Sequence, residues 1–115
     1  MAAINLREQT YALLQDPLLG EGDMDTKILR LLKSEFLRQL ADYQALDQAL
    51  TQKYAMPFTD FTERRMTVQH SNSWEVENDA TEWAMATRRV AALEGKLQEI
   101  HHVTSSTSHH RPSDQ

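Results

Sequence analysis

Val76, Trp83, Val90 and Leu97 recur every seven residues, and Ala86, Leu93 and Ile100 repeat three positions behind them, with Asp79 as the one polar member of that second row. An apolar repeat of this period, held over three to four heptads, admits one local structure: an α-helix with an apolar seam turned to another helix. Asn72 and Glu75 have the spacing of a capping box, so the helix is expected from about residue 72 to Val103. Gly95 is its weak point, costing about 1 kcal/mol relative to Ala.

A second seam lies upstream. Between residues 25 and 54 there is neither Gly nor Pro, and Leu29, Leu32, Phe36, Tyr43, Leu46 and Leu50 occupy a and d positions of one heptad frame. The spacing predicts a helix of ~45 Å at 1.5 Å per residue, with Asp25 or Thr26 placed to cap it. Two d positions are polar, Gln39 and Lys53. Such residues cost stability but fix register where they find a partner. Ile28, Leu31, Leu37 and Leu40 widen the apolar stripe beyond what one neighbouring helix covers.

The flanking segments are short. Leu6, Leu13 and Leu14 mark a helical arm over residues 4 to 15, stopped by Pro17 and by Gly20 and Gly22. Pro57, Phe58, Phe61 and Met66 suggest a connecting helix over about 57 to 68, with Pro57 at its first position. After Val103 the Ser, Thr and His run has nothing to bury and is expected to lack structure. The expected organisation is therefore an arm over 1–24, a helical hairpin over 25–103 and a disordered tail over 104–115. The fold class is all-α: a long antiparallel, coiled-coil-like hairpin with a short connecting helix. A lone hairpin is thin, so two copies are expected to dimerise into a helical bundle. Leu29, Leu32, Phe36, Tyr43, Leu46 and Leu50, with Trp83, Val90, Leu93, Leu97 and Ile100, form the seam.

Composition excludes several functions. Cys is absent, which removes disulfide and thiol chemistry, and the formal net charge of −5 removes the diffuse basic field that draws nucleic acid. No nucleic acid is expected to bind this chain alone. The first residues lack the basic and apolar regions of a signal peptide and no apolar run approaches the ~20 residues of a membrane span, so the expectation is a cytoplasmic protein with no membrane partner. Glu75, Asp79 and Glu82 share one helical face, but no His follows any of them at i+3 as a di-metal site requires. They read as carboxylates complementing the helix dipole. His101 and His102, at a helix C-terminus, lack the spacing of a zinc site. Neither metal nor cofactor is expected, and no catalytic residue is assigned.

Three aromatics are candidate partner-binding residues. Trp74 precedes the seam and is the best placed anchor, whereas Trp83 lies within the seam and reads as core. Phe58 and Phe61 either cap the end of the hairpin or face a partner, and spacing does not separate the two.

The stretch Lys53-Tyr54-Ala55-Met56-Pro57-Phe58 with Phe61, then His70-Ser71, Trp74-Glu75-Val76-Glu77-Asn78-Asp79 and Glu82-Trp83, resembles a group of small prokaryotic proteins encoded in toxin–antitoxin gene pairs. Those proteins read Lys-Tyr-Gly-Met-x-Phe-x-x-Phe, followed by His-Ser-Tyr-Glu-Val-Glu-x-Asp and a Glu-rich helix carrying Trp-Glu. The resemblance covers about residues 50 to 100, with Ala55 in place of Gly and Trp74 in place of Tyr. It implies a non-catalytic antitoxin that neutralises a cognate toxin by protein–protein contact. An acidic helical protein suits that role, since it can cover the basic surface of a nuclease. A generic helical scaffold is the alternative. A third reading comes from Arg65 and His70, whose Arg-x-x-x-x-His spacing resembles that of HEPN ribonucleases, where Arg holds phosphate and His does acid–base work. A spacing this short also arises by chance, and Glu63 and Glu75 beside it repel RNA.

Overall fold

The computed structural model describes residues 5–64, 66–69 and 73–109, and every regular element among them is helical: α1 (Glu8–Leu14), a 3-10 turn (Pro17–Leu19), α2 (Met24–Tyr54), α3 (Phe58–Glu63), α4 (Met66–Gln69) and α5 (Trp74–His109). α2 and α5 pack against each other along their lengths as an antiparallel hairpin, closed by α3 and α4. The Cα radius of gyration is 20.7 Å, against ~13 Å for a compact chain of this length.

Local chemistry sets the boundaries. Asp16 has extended backbone ahead of Pro17 and accepts a hydrogen bond from the Leu18 N–H at 2.8 Å, so α1 ends and a 3-10 turn begins. α1 is shorter than the expected arm helix, and it buries Leu14 while leaving Leu13 exposed. Gly20 (φ 83°) and Gly22 (φ 127°) then carry the chain round through backbone that L side chains avoid. Arg30 ties this turn down by donating to the carbonyls of Leu19 at 3.0 Å and Glu21 at 2.7 Å.

The cap of α2 is Asp23 rather than Asp25 or Thr26: its carboxylate accepts from the Thr26 N–H at 2.9 Å. At the other end Ala55 adopts the left-handed conformation (φ 57°, ψ 35°) and the Met56 N–H reaches the Thr51 carbonyl at 3.2 Å. That is a Schellman stop, completed by Met56 packing against the Leu50 cluster. Pro57 sits one place earlier than expected, as the residue before α3, and the connection forms two short helices rather than one.

α5 starts at Trp74, with Ser73 Oγ accepting from the Val76 N–H at 3.2 Å; Asn72, expected as the cap, lies outside the described residues. The helix runs on to His109, six residues past its expected end and into the expected tail. Thr104 Oγ1 donates back to the Ile100 carbonyl at 2.9 Å, so the hydroxyl is satisfied inside the helix.

The seams differ in depth. Leu50, Trp83, Ala86, Leu93 and Ile100 are buried, while Leu29, Phe36, Tyr43, Leu46, Val90 and Leu97 are half-buried. Leu32 departs from the expectation, being 40% exposed. Near the arm end a cleft of about 390 Å³ lies between Thr26, Leu29 and Lys33 on one side and Ile100 and Thr104 on the other.

Candidate interaction surface

The closed end of the hairpin holds a self-sufficient aromatic core. Phe61 and Trp83 are 1% and 0% exposed and their rings lie 5.0 Å apart. Tyr54 stands 4.9 Å from Phe61 and 5.9 Å from Trp83, and Phe58 lies 5.2 Å from Trp83 with its ring tilted by 52°. Phe61 is thus corrected from partner-binding candidate to core residue: α3 folds back and lays it on the indole of Trp83. Phe58 is half-buried in the same cluster. Of the two roles left open for this pair, capping the hairpin is the one they fill.

Polar groups in the core are matched. Trp83 Nε1 donates to Asp47 Oδ1 at 2.7 Å across the two long helices. Lys53, the polar seam residue of α2, meets Asp79, the polar seam residue of α5, at 2.6 Å, and also grips Glu75. Tyr54 donates its hydroxyl to Asp79 at 2.6 Å. Burial works to raise the Asp79 carboxyl, but the hydrogen bonds from Lys53 and Tyr54 outweigh it and hold it below the ordinary carboxylate value. For Tyr54 burial and the bond to Asp79 act together and push the phenol up to about 12. The hydrogen bonds to Asp79 and Glu75 raise Lys53 in turn. Glu75 and Asp79 therefore do more than complement a helix dipole. The other polar seam residue, Gln39, turns along its own helix and donates to Glu35 at 2.6 Å.

Outside this core stands Trp74, 77% exposed on the first turn of α5. Glu77 follows one turn on, at i+3, and Glu82 lies beyond it. Both are exposed and, among the described residues, neither is paired with a cation, because Lys53 is already taken by Glu75 and Asp79. An open indole with a free carboxylate one turn on suits a cation: a guanidinium or ammonium can lie on the ring while Glu77 meets its charge.

No protein-family model, no curated protein and no solved structure matches this chain. What the surface can bind is thus argued from its own chemistry.

At the arm end α1 lies along the start of α2, and a groove of about 420 Å³ between them is lined by Asn5, Leu6, Glu8, Tyr11, Met24 and Ile28. The surplus apolar residue Ile28 marks the α2 side of this groove in the sequence, but its α1 wall needs the arm to fold back, which no spacing reveals. Lys27 is buried there, its stem covered as long basic side chains allow. Among the described residues no group of three or more His, Asp or Glu is placed to hold a metal ion, and no helix is long and apolar enough to cross a membrane. His101 and His102 are exposed. Arg65 and His70 lie outside the described residues.

Proposed function

We propose that the chain is a non-catalytic, cytoplasmic partner-binding protein of the antitoxin kind, which neutralises a cognate toxin by direct contact centred on Trp74. The observation that carries this reading is the exposure of that indole, with Glu77 one turn on, at an end of the molecule whose other aromatics pack in its own core. Large aromatics dominate the energetics of protein interfaces, and an acidic surface speeds encounter with a basic one. The toxin class that fits is one presenting Arg or Lys on its working face. The resemblance to antitoxins gains support from Ala55, which has the left-handed backbone that favours Gly at the very position where the resembled proteins carry Gly.

The test is co-expression with the product of the adjacent open reading frame, pulling down on this chain and scoring growth. A stoichiometric complex with rescue, both lost in Trp74→Ala, is the expected result. A harmless neighbour that does not bind refutes the reading. In that event the scaffold reading takes its place, favoured by the apolar groove at the arm end. A ribonuclease would instead cleave RNA and lose that activity on His70→Ala.

A further inference from the structure

The arm is fastened to α2 by few contacts. Between residues 5 and 19 only Leu14 is buried, while Tyr11, Leu13 and Leu18 stand 52%, 67% and 93% exposed. The groove of about 420 Å³ leaves α1 loosely seated on Met24 and Ile28. At the far end of the arm one side chain of α2 holds the backbone: Arg30 donates to the carbonyls of Leu19 and Glu21, on either side of Gly20. The turn is shaped around that guanidinium. A Cβ on Gly20 would lie 3.3 Å from Arg30 Nη1, and one on Gly22 would lie 3.1 Å from Thr26 Cγ2 and 3.5 Å from Arg30 Nη2. The two residues freest to change backbone conformation thus stand beside the latch.

A lysine lies beneath the arm. Leu29 marks the side of α2 that faces α5, across the cleft from Ile100. At 3.6 residues per turn Lys27 points about 160° away from Leu29, and about 60° from each of Arg30 and Met24. Lys27 is nonetheless 7% exposed, so its cover is the arm, which is latched at Arg30 and seated at Met24. Among the described residues no carboxylate pairs with its ammonium. Its accessibility therefore reports the position of the arm. Opening forfeits one buried leucine and the two Arg30 bonds, whereas the hairpin keeps its aromatic core and the Lys53–Asp79 pair. A segment held by so little opens below the free energy of global unfolding.

We infer that residues 5–19 form a strap over α2, latched by Arg30 and hinged at Gly20 and Gly22, which opens as a unit and uncovers Lys27 while the hairpin stays folded. Closed, the strap hides the lysine; open, α2 presents it beside Met24. The device lies at the end of the hairpin opposite Trp74 and does not rest on the antitoxin reading.

The experiment is native-state hydrogen exchange on the full chain, paired with acetylation by an N-hydroxysuccinimide ester and mass spectrometry of each lysine. The amides of Tyr11 and Gln15 are hydrogen-bonded within α1, and a detached helix of seven residues does not hold such bonds. They are expected to exchange at least ~100-fold faster than that of Ala86, with little dependence on low urea. Lys27 is expected to react more slowly than the exposed Lys33 and Lys96. Arg30→Gln should speed both exchange in α1 and acetylation of Lys27 by ~10-fold or more, as loss of charge-assisted hydrogen bonds implies, and leave Ala86 unchanged. Gly22→Ala should act in the same direction. Arg38→Gln, which loosens only the pairs with Glu35 and Asp42, should alter neither readout. Arm amides as slow as Ala86, or variants at positions 30 and 22 that leave α1 and Lys27 as they are in the wild type, overturn the inference. If Arg30→Gln fails to fold, Gly22→Ala and the wild-type exchange decide it.

Discussion

Two residues of this chain stand in each other's proper places. Ala55 ends α2 with φ 57°, and Gly95 lies inside α5, where a Cβ would meet nothing within 4 Å. Exchanging both, Ala55→Gly and Gly95→Ala, is expected to stabilise the protein twice over. An alanine held left-handed costs ~1–2 kcal/mol; glycine removes that cost but returns ~0.4–1 kcal/mol through the freer unfolded chain. The difference leaves about 0.8 kcal/mol in favour of glycine. Within a helix the balance reverses, and alanine gains about 1 kcal/mol. The two sites lie at different levels of the hairpin, ~25 Å apart along α5 at 1.5 Å per residue, so the gains should add to nearly 2 kcal/mol. For a domain near this size that is a rise of ~8 °C in melting temperature, read by circular dichroism, and a higher urea midpoint at unchanged slope. The reasoning at position 55 is refuted if Ala55→Gly leaves the midpoint unmoved or lowers it while Gly95→Ala raises it. That pattern would mean that the end of α2 is not left-handed at this residue.

Other substitutions separate core from surface. Trp83→Phe shrinks the central ring and strips Asp47 of its donor, so urea unfolding should show a loss of ~2–3 kcal/mol. Trp74→Ala should change stability by less than ~0.5 kcal/mol and, if the proposed function holds, weaken capture of the proposed partner by ~30-fold or more in titration calorimetry. In ultraviolet titration one of the three tyrosines should ionise last, at about 12, and Tyr54→Phe should delete that step and no other. Because the Tyr54 pKa is raised, the stability it contributes is whole below the unfolded value near ~10 and fades as pH rises towards about 12. The Asp79 shift is downward, so its contribution holds above the unfolded value near ~3.9 and fades as pH falls below it; Asp79→Asn should flatten that acid limb.

Period and capping made most of the fold legible. Heptad spacing gives both long helices and names Leu50, Trp83, Ala86, Leu93 and Ile100, all of them buried. The boundaries that moved did so for local reasons: Asp23 captures the Thr26 N–H ahead of the expected caps, and threonine satisfies its own hydroxyl inside α5. Long-range partners were out of reach. Nothing in the sequence ties Asp47 to Trp83 or folds Phe61 under the indole, since each depends on how α3 turns the chain. Leu32 shares the heptad frame of the buried leucines yet stands 40% exposed, because period alone does not tell which side of a wide stripe the partner helix covers.

The polar seam residues carry the most structural information for their number. If α5 slipped by one heptad along α2, the apolar rows would still mesh, because Val76, Trp83, Val90 and Leu97 are spaced by the same seven residues. In the slip that brings Asp79 to the level of Leu46, Lys53 would face the chain ahead of Trp74, where α5 begins. Asp79 is half-buried, so its carboxylate would lose both donors in partly apolar surroundings, a penalty that no gain among equivalent apolar contacts offsets. The pair thus selects one register from several of similar apolar content. Register in turn sets Phe61 over Trp83 and leaves Trp74 exposed on the first turn of α5. A residue type that weakens a seam in the sequence is, in the folded chain, what keeps Trp74 outside it.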